Sequence, residues 1–145
     1  MIQFRAEVTV DRPIDQVFRY VADMTRQEEW TDMMLVKMLT DGPIRAGTRY
    51  VAKFKKGPFK ELTFEITSLE PDRLLGYRTI PPGQMSWEGE IRLDLASHAS
   101  THVLAEGRIR LHGLWRLVEP LVAGEIRRGE ADELVRLKNA LESTS

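Results

Sequence analysis

The chain contains no cysteine, which excludes disulfide staples, thiolate catalysis and cysteine zinc sites. It lacks an excess of either charge: 21 Lys and Arg stand against 22 Asp and Glu, whereas binding by phosphate neutralisation needs a basic face. No long apolar run is present, and the first residues, Met-Ile-Gln-Phe-Arg-Ala-Glu-Val, alternate where a secretory segment or membrane span would be continuous. The expectation is a cytoplasmic protein with no nucleic-acid partner and no stable membrane insertion, either a monomer or a homodimer. Histidine is scarce too, with three in 145 residues. His98 and His102 lie four apart, but across a Ser/Thr-containing turn with no matched carboxylate, and His112 ends a strand before Gly113, so no metal and no cofactor is expected. Low-complexity tracts, runs of like charge and solenoid repeats are missing as well, which leaves residues 1–145 as a single domain.

What is present is periodicity. Ile2, Phe4, Ala6, Val8 and Val10 alternate with Gln3, Arg5, Glu7 and Thr9, the period of a half-buried strand. Pro13 opens a short amphipathic helix through Ile14, Val17, Phe18 and Val21, with proline in the first helical position. Thr25 followed by Glu28 has the spacing of a capping box for a second short helix that ends near Trp30. From Met33 to His112 the helical period gives way to six strands separated by Gly and Pro signals. The first runs from Met34 to Leu39. Asp41-Gly42-Pro43, Lys56-Gly57-Pro58 and Ile80-Pro81-Pro82-Gly83 mark turns, and the last two strands are the longest. Lys53, Lys55, Lys56 and Lys60 crowd one hairpin; they suit an anionic ligand or an acidic membrane surface, or simply a soluble loop that resists edge pairing.

The final thirty residues return to a period of 3.6, with Leu114, Leu117, Val118, Leu121, Val122, Ile126, Leu134, Leu137 and Leu141 as one stripe. Pro120 costs on the order of 3 kcal/mol in a helix interior and Gly124 and Gly129 about 1 each relative to Ala, so a kink or a late start near Glu119 is expected. These defects fit close packing of the helix on a sheet, or room for a guest beneath it.

The order of strand, two short helices, six-strand meander and long terminal helix resembles the helix-grip fold of the START-like (SRPBCC) superfamily, the fold of the birch-pollen allergen. The resemblance is carried by Pro13 to Asp23 (P-I-D-Q-V-F-R-Y-V-A-D), by Trp30, and by Gly42 to Tyr50 (G-P-I-R-A-G-T-R-Y). These segments are similar to the polyketide cyclase/dehydratase-like branch, which mixes cyclases, dehydratases, and lipid or quinone carriers. The resemblance implies an α+β fold, a seven-stranded antiparallel sheet wrapped around the C-terminal helix, with a hydrophobic cavity between them as the functional site. No catalytic motif of the family transfers.

The strand registers place Trp30, Tyr50, Phe54, Phe64, Trp87 and Ile91 on the inner side, with Met34 or Met38, Trp115, Val118, Leu121 and Val122 near the helix junction. Gly89, Ala105 and Gly107 are small inward residues that favour a void. Thr48, Tyr50 and Thr101 are the inward polar groups, joined by Tyr77 or Arg78 according to the parity of the fifth strand. No Asp, Glu or His is forced inside. Glu88, Glu90, Asp94 and Glu106 fall on a solvated convex face, and the charges of the last helix, Glu125, Arg127, Arg128, Glu130, Asp132, Glu133 and Arg136, read as solvated too.

Three functions follow as expectations. The first is binding or transport of a hydrophobic or aromatic small molecule of the polyketide, lipid or quinone class. The second is a polyketide cyclase or dehydratase that uses the same cavity, with Tyr50, Tyr77 or Arg78 polarising a carbonyl. The third is a chaperone-associated protein-binding module, which would show a filled cavity and an exposed apolar patch.

Overall fold

The computed structural model describes residues 1–55, 60–80 and 85–143, without the side chain of Met34. The Lys56-Gly57-Pro58 turn and most of the Ile80–Gly83 loop expected from sequence lie outside them. Strand β1 (Ile2–Val10) leads into helix α1 (Ile14–Ala22) and a 3₁₀ turn (Met24–Glu29). Strands β2 (Met33–Met38), β3 (Arg49–Phe54), β4 (Glu61–Glu70), β5 (Leu74–Thr79), β6 (Met85–Ser97) and β7 (Ser100–Leu111) follow. A second 3₁₀ turn (Gly113–Val118) then enters helix α2 (Glu119–Glu142).

The strands form one antiparallel sheet in the order β1-β7-β6-β5-β4-β3-β2, so β2 through β7 make a meander and β1 closes on β7. This is the helix-grip architecture, and its cause is the period-two pattern: Ile2, Phe4, Ala6 and Val10 are buried on β1 while Gln3, Arg5, Glu7 and Thr9 are exposed. Leu95 breaks the pattern at the far end of β6, where it is 66% exposed, beyond the reach of the core.

Helix α1 buries Val17, Phe18, Tyr20 and Val21. Its neighbour is capped differently from expectation. The carboxylate of Asp23 accepts from the Thr25 N–H at 3.1 Å and from the Thr25 hydroxyl, so Asp23 satisfies the free donors and Thr25 is itself a donor. Buried Thr48 and Thr101 are structural: Thr48 Oγ1 accepts from the Arg45 N–H at 2.9 Å, and Thr101 Oγ1 donates to the Arg12 carbonyl at 2.8 Å.

Helix α2 begins at Glu119 with Pro120 in its first turn, the late start that lets proline sit where no helical donor is lost. Its second half buries Leu134, Leu137 and Leu141, while Arg127 and Lys138 donate to the carbonyls of Gln3 and Thr9 across β1. The first part of the expected stripe fails. Leu114 and Leu117 are exposed, because residues 113–118 wind as a 3₁₀ turn, whose three-residue period does not continue the face of the α-helix; Leu121, within α2, is exposed because it lies one position off the inward row of Val122, Ile126, Glu130 and Leu134.

Candidate functional site

The two halves of α2 meet the sheet differently. Beneath the second half the space is filled: Phe64, Ile66, Leu134 and Leu137 are fully buried, and a residual pocket of about 40 Å³ remains among Trp30, Tyr50, Phe64, Tyr77, Trp87 and Ile91. That is room for about one water. Beneath the first half Val118, Val122, Ala123 and Ile126 pack against Ile2, Phe4, Ile109 and Leu111, and beside this contact lies an open cleft of about 590 Å³. Its apolar walls are Phe54, Met85, Trp87, Ile109 and Leu111 from the sheet and Trp115, Val118, Val122 and Ile126 from the helical side. Guest space is therefore an open cleft at one end of the interface between sheet and helix.

Trp87 joins the cleft to the deep pocket, since both are lined by it, as they are by Phe54. Its ring meets Phe64 edge-on at 5.6 Å and Tyr77 at 6.1 Å, and lies against Phe54 at 6.2 Å. Tyr50 stacks on Phe64 at 5.4 Å. Edge-on and offset contacts of this kind add to the stability that area burial alone supplies, so the floor of the cleft is a packed aromatic cluster. The indole N–H groups of Trp30 and Trp87 are buried without a hydrogen-bond partner of good geometry among the described residues.

Of the residues placed inside by sequence, Trp30, Tyr50, Phe64, Tyr77, Ile91 and Ala105 line the deep pocket, Trp115, Val118 and Val122 line the cleft, and Phe54 and Trp87 line both. Met34 lies outside the described side chains. Three expectations are corrected. Arg78 points outward and pairs with Glu65 at 2.9 Å, so the parity of β5 turns Tyr77 inward. Leu121 is 78% exposed and lines neither space. Gly107 and Gly89 provide no void: a Cβ on Gly107 would run into the Glu88 carbonyl oxygen and stand 2.8 Å from Phe4, and one on Gly89 would stand 2.8 Å from the Tyr77 hydroxyl. The glycines permit close strand and side-chain approach.

The largest correction concerns charge. Glu130 and Glu133, one turn apart on α2, both line the cleft and the deep pocket. Glu130 is 8% exposed, and its carboxyl makes no hydrogen bond or ion pair among the described residues. Burial, reinforced by nearby Asp32, pushes its carboxyl up to about 7. Burial raises Glu133 well above the ordinary carboxylate range as well, with Glu130 and Asp32 adding to the effect; Arg136 and the Asp32 backbone N–H oppose it. Tyr77 is raised chiefly by burial and then by Glu130, and Tyr50 by burial alone, so both phenols stay protonated at neutral pH. A signal for Glu130 exists in the sequence: it stands midway between Ile126 and Leu134, at the position needed to continue the apolar face through Leu137 and Leu141.

The three histidines stand apart from this site. His98 is exposed in the β6–β7 turn, His102 lies 3.4 Å from Glu7, and His112 Nε2 lies 2.7 Å from Ser86 Oγ. A depression of about 700 Å³ on the outer face of the sheet, over Gly89 and Gly107, is walled by charges already in mutual contact, including Arg108 with Glu88. Arg78 and Glu90 on its wall are paired too, with Glu65 and Arg92.

Solved structures share the whole architecture. A Thermus thermophilus protein is 17% identical, with a TM-score of 0.81 and 99% of each chain covered. An aromatase/cyclase, Zhui from a Streptomyces species, is 21% identical, with a TM-score of 0.71 over 97% of this chain and 93% of its own. Norcoclaurine synthase from Thalictrum is 14% identical, with a TM-score of 0.63 and 95% of each chain covered. At these identities the likeness is one of fold. No curated protein sequence matches significantly. The sequence model for "polyketide cyclase / dehydrase and lipid transport" matches residues 1–142, and the chain belongs to that family.

Proposed function

We propose that the protein binds a hydrophobic small molecule in the cleft between the first half of α2 and strands β6 and β7. The observation that carries this reading is the aromatic and aliphatic lining of a cleft of about 590 Å³ that α2 leaves uncovered. A polyketide, lipid or quinone would lay its body against Phe54, Trp87, Trp115, Val122 and Ile126, and direct its polar end toward Glu130 and Glu133.

Magnitudes set the kind of binding. A guest covering about 300–400 Å² of apolar surface gains about 7–10 kcal/mol at ~25 cal/mol per Å². Lost freedom takes at least ~4 kcal/mol, which leaves dissociation constants on the order of millimolar to tens of micromolar. Tighter binding must come from the polar end. Loose, reversible apolar binding is what a carrier requires.

A second reading rests on the two glutamates. Acid–base catalysis needs a group titrating near neutrality beside the reacting atoms, and Glu130 at about 7 meets that need. In a cyclase or dehydratase using this cleft, one carboxylate would accept a proton from carbon while the other, as the acid, protonates a departing oxygen. The protonated phenol of Tyr77 would orient a carbonyl.

Titration with the neutral fluorophore N-phenyl-1-naphthylamine tests the binding reading. Saturable enhancement is expected for the natural chain and its loss in Val122→Trp, which fills the cleft from the helix side. Equal binding by the two proteins would place the guest elsewhere. For the catalytic reading, Glu130→Gln abolishes turnover of a β-hydroxy ketone while leaving fluorophore binding in place; unchanged turnover would remove Glu130 from the chemistry.

A further inference from the structure

The polar end of the cleft is out of electrostatic balance. Three carboxyl groups, Asp32, Glu130 and Glu133, converge there, and Arg136 is the cation among them. Arg136 donates to Asp32 Oδ1 at 3.2 Å and to the Trp30 carbonyl at 3.2 Å, so its charge is committed to Asp32, and Glu133 is the next carboxyl it reaches. Glu130 receives no such help: the charged neighbour that acts on it is Asp32, which raises its carboxyl further. Arg128, with Glu125 and Asp132, lies on the exposed solvent rim of the cleft, and Arg128, two residues from Glu130, projects from a different side of the helix.

The other groups facing Glu130 do not supply the missing charge. Tyr77 on β5 and Tyr50 on β3 are neutral phenols, both raised by burial. Glu133, from its own helix, is another acid and supplies no positive charge. A carboxyl 8% exposed, with neither hydrogen bond nor ion pair among the described residues, at the end of an aromatic-walled cleft is a group whose partner arrives from outside. A metal ion does not fit, since no three acidic or histidine side chains among the described residues are arranged to hold one. An organic cation does: its body matches the apolar walls, and the faces of Trp87 and Phe54 favour positive charge.

We infer that the cleft selects a hydrophobic amine, whose ammonium group is held by Glu130 and Glu133 while its apolar body lies against Phe54, Trp87, Val122 and Ile126. This rests on the cleft being the binding site and adds the chemical class of its ligand. Binding has a proton signature. An ammonium displaces the proton that Glu130 carries near neutrality, so amine binding releases protons below about pH 7 and tightens as pH rises from 6 to 8, while the amine itself stays charged.

Three isosteres separate the outcomes: 4-phenylbutylamine, 4-phenylbutanol and 4-phenylbutyric acid, each measured by displacement of N-phenyl-1-naphthylamine at pH 7.5. The amine is expected to bind at least about tenfold more tightly than the alcohol, with the acid weakest, as the local charge sign requires. Calorimetry at pH 6.5 in two buffers of different ionisation enthalpy is expected to show release of roughly half a proton or more per amine bound. Glu130→Gln should bring the affinity of the amine close to that of the alcohol and reduce the proton release. If the alcohol displaces the fluorophore as well as the amine does, with no proton release, the amine inference is overturned and the apolar cleft stands. If the fluorophore does not bind the natural chain, or none of the three compounds displaces it, the cleft reading fails and this inference with it.

Discussion

Arg136 lies 3.2 Å from Asp32 and also donates to the Trp30 carbonyl, a double engagement that leaves Glu130, less than two turns earlier on α2, without a counter-charge. The consequence is a buried acid whose protonation changes near neutral pH. A carboxyl at this depth stays protonated because the neutral form costs far less to bury than the anion.

Stability should therefore fall across the weakly acid range. The folded state holds the Glu130 proton more tightly than the unfolded chain does. The stability linked to it is fully present below the ordinary glutamate range, near 4.3, and is lost as pH rises through about 7. The loss amounts to about 4 kcal/mol at most. Denaturant melts of Glu130→Gln should show a smaller decline, since Glu133 is raised by burial as well, and the variant more stable than the natural chain at pH 8. Parallel pH profiles for the two proteins would contradict the assignment.

Gly107→Ala tests the glycine contact. A Cβ there would press on the Glu88 carbonyl and on Phe4, and neither the paired strands nor the buried ring can retreat. Destabilisation by about 1–3 kcal/mol or more is expected from this overpacking. A thermal melt equal to the natural chain's would mean that the space is real.

Arg78→Met separates the two faces of β5. Because Arg78 is exposed and paired with Glu65, its loss should leave fluorophore binding unchanged and cost about 1 kcal/mol or less. Weaker binding in Arg78→Met, by fluorescence titration, would return this arginine to the cleft.

Asp23→Ala should lower stability by about 0.5–2 kcal/mol, the usual range for a lost helix N-cap. Thr25→Val should cost less, because Thr25 keeps its backbone N–H to donate. Equal losses in urea melts would make Thr25 a cap in its own right.

Most of the fold is legible in the sequence because alternation has one physical meaning on a sheet with one wet face, and seven strands with this pattern can close around a single helix. The site is only partly legible. Trp87, Phe54 and Val122 follow from inward registers, but Glu130 and Glu133 read as solvated because acidic residues usually are. The apolar spacing from Ile126 to Leu134, with Glu130 between, is the local sign that this one is not. Leu117 and Leu121 mislead for the opposite reason: their apolar spacing is helical, yet Leu117 falls in the 3₁₀ turn, which changes the period, and Leu121 falls one position off the inward row of α2 that runs through Val122 and Ile126. Gly107 reads as space when its role is contact, a distinction that depends on Phe4 and Glu88, which are distant in sequence.

Nuclear magnetic resonance of the three tryptophan indole N–H groups tests the central claim most directly. Trp87 and Trp115 line the cleft, while Trp30 lines only the packed pocket behind it. On titration with 4-phenylbutanol, the Trp87 and Trp115 signals should shift together and saturate with one dissociation constant, with Trp30 moving least. Signals that stay still, or drift linearly with added alcohol and never saturate, would contradict a binding cleft between α2 and the sheet.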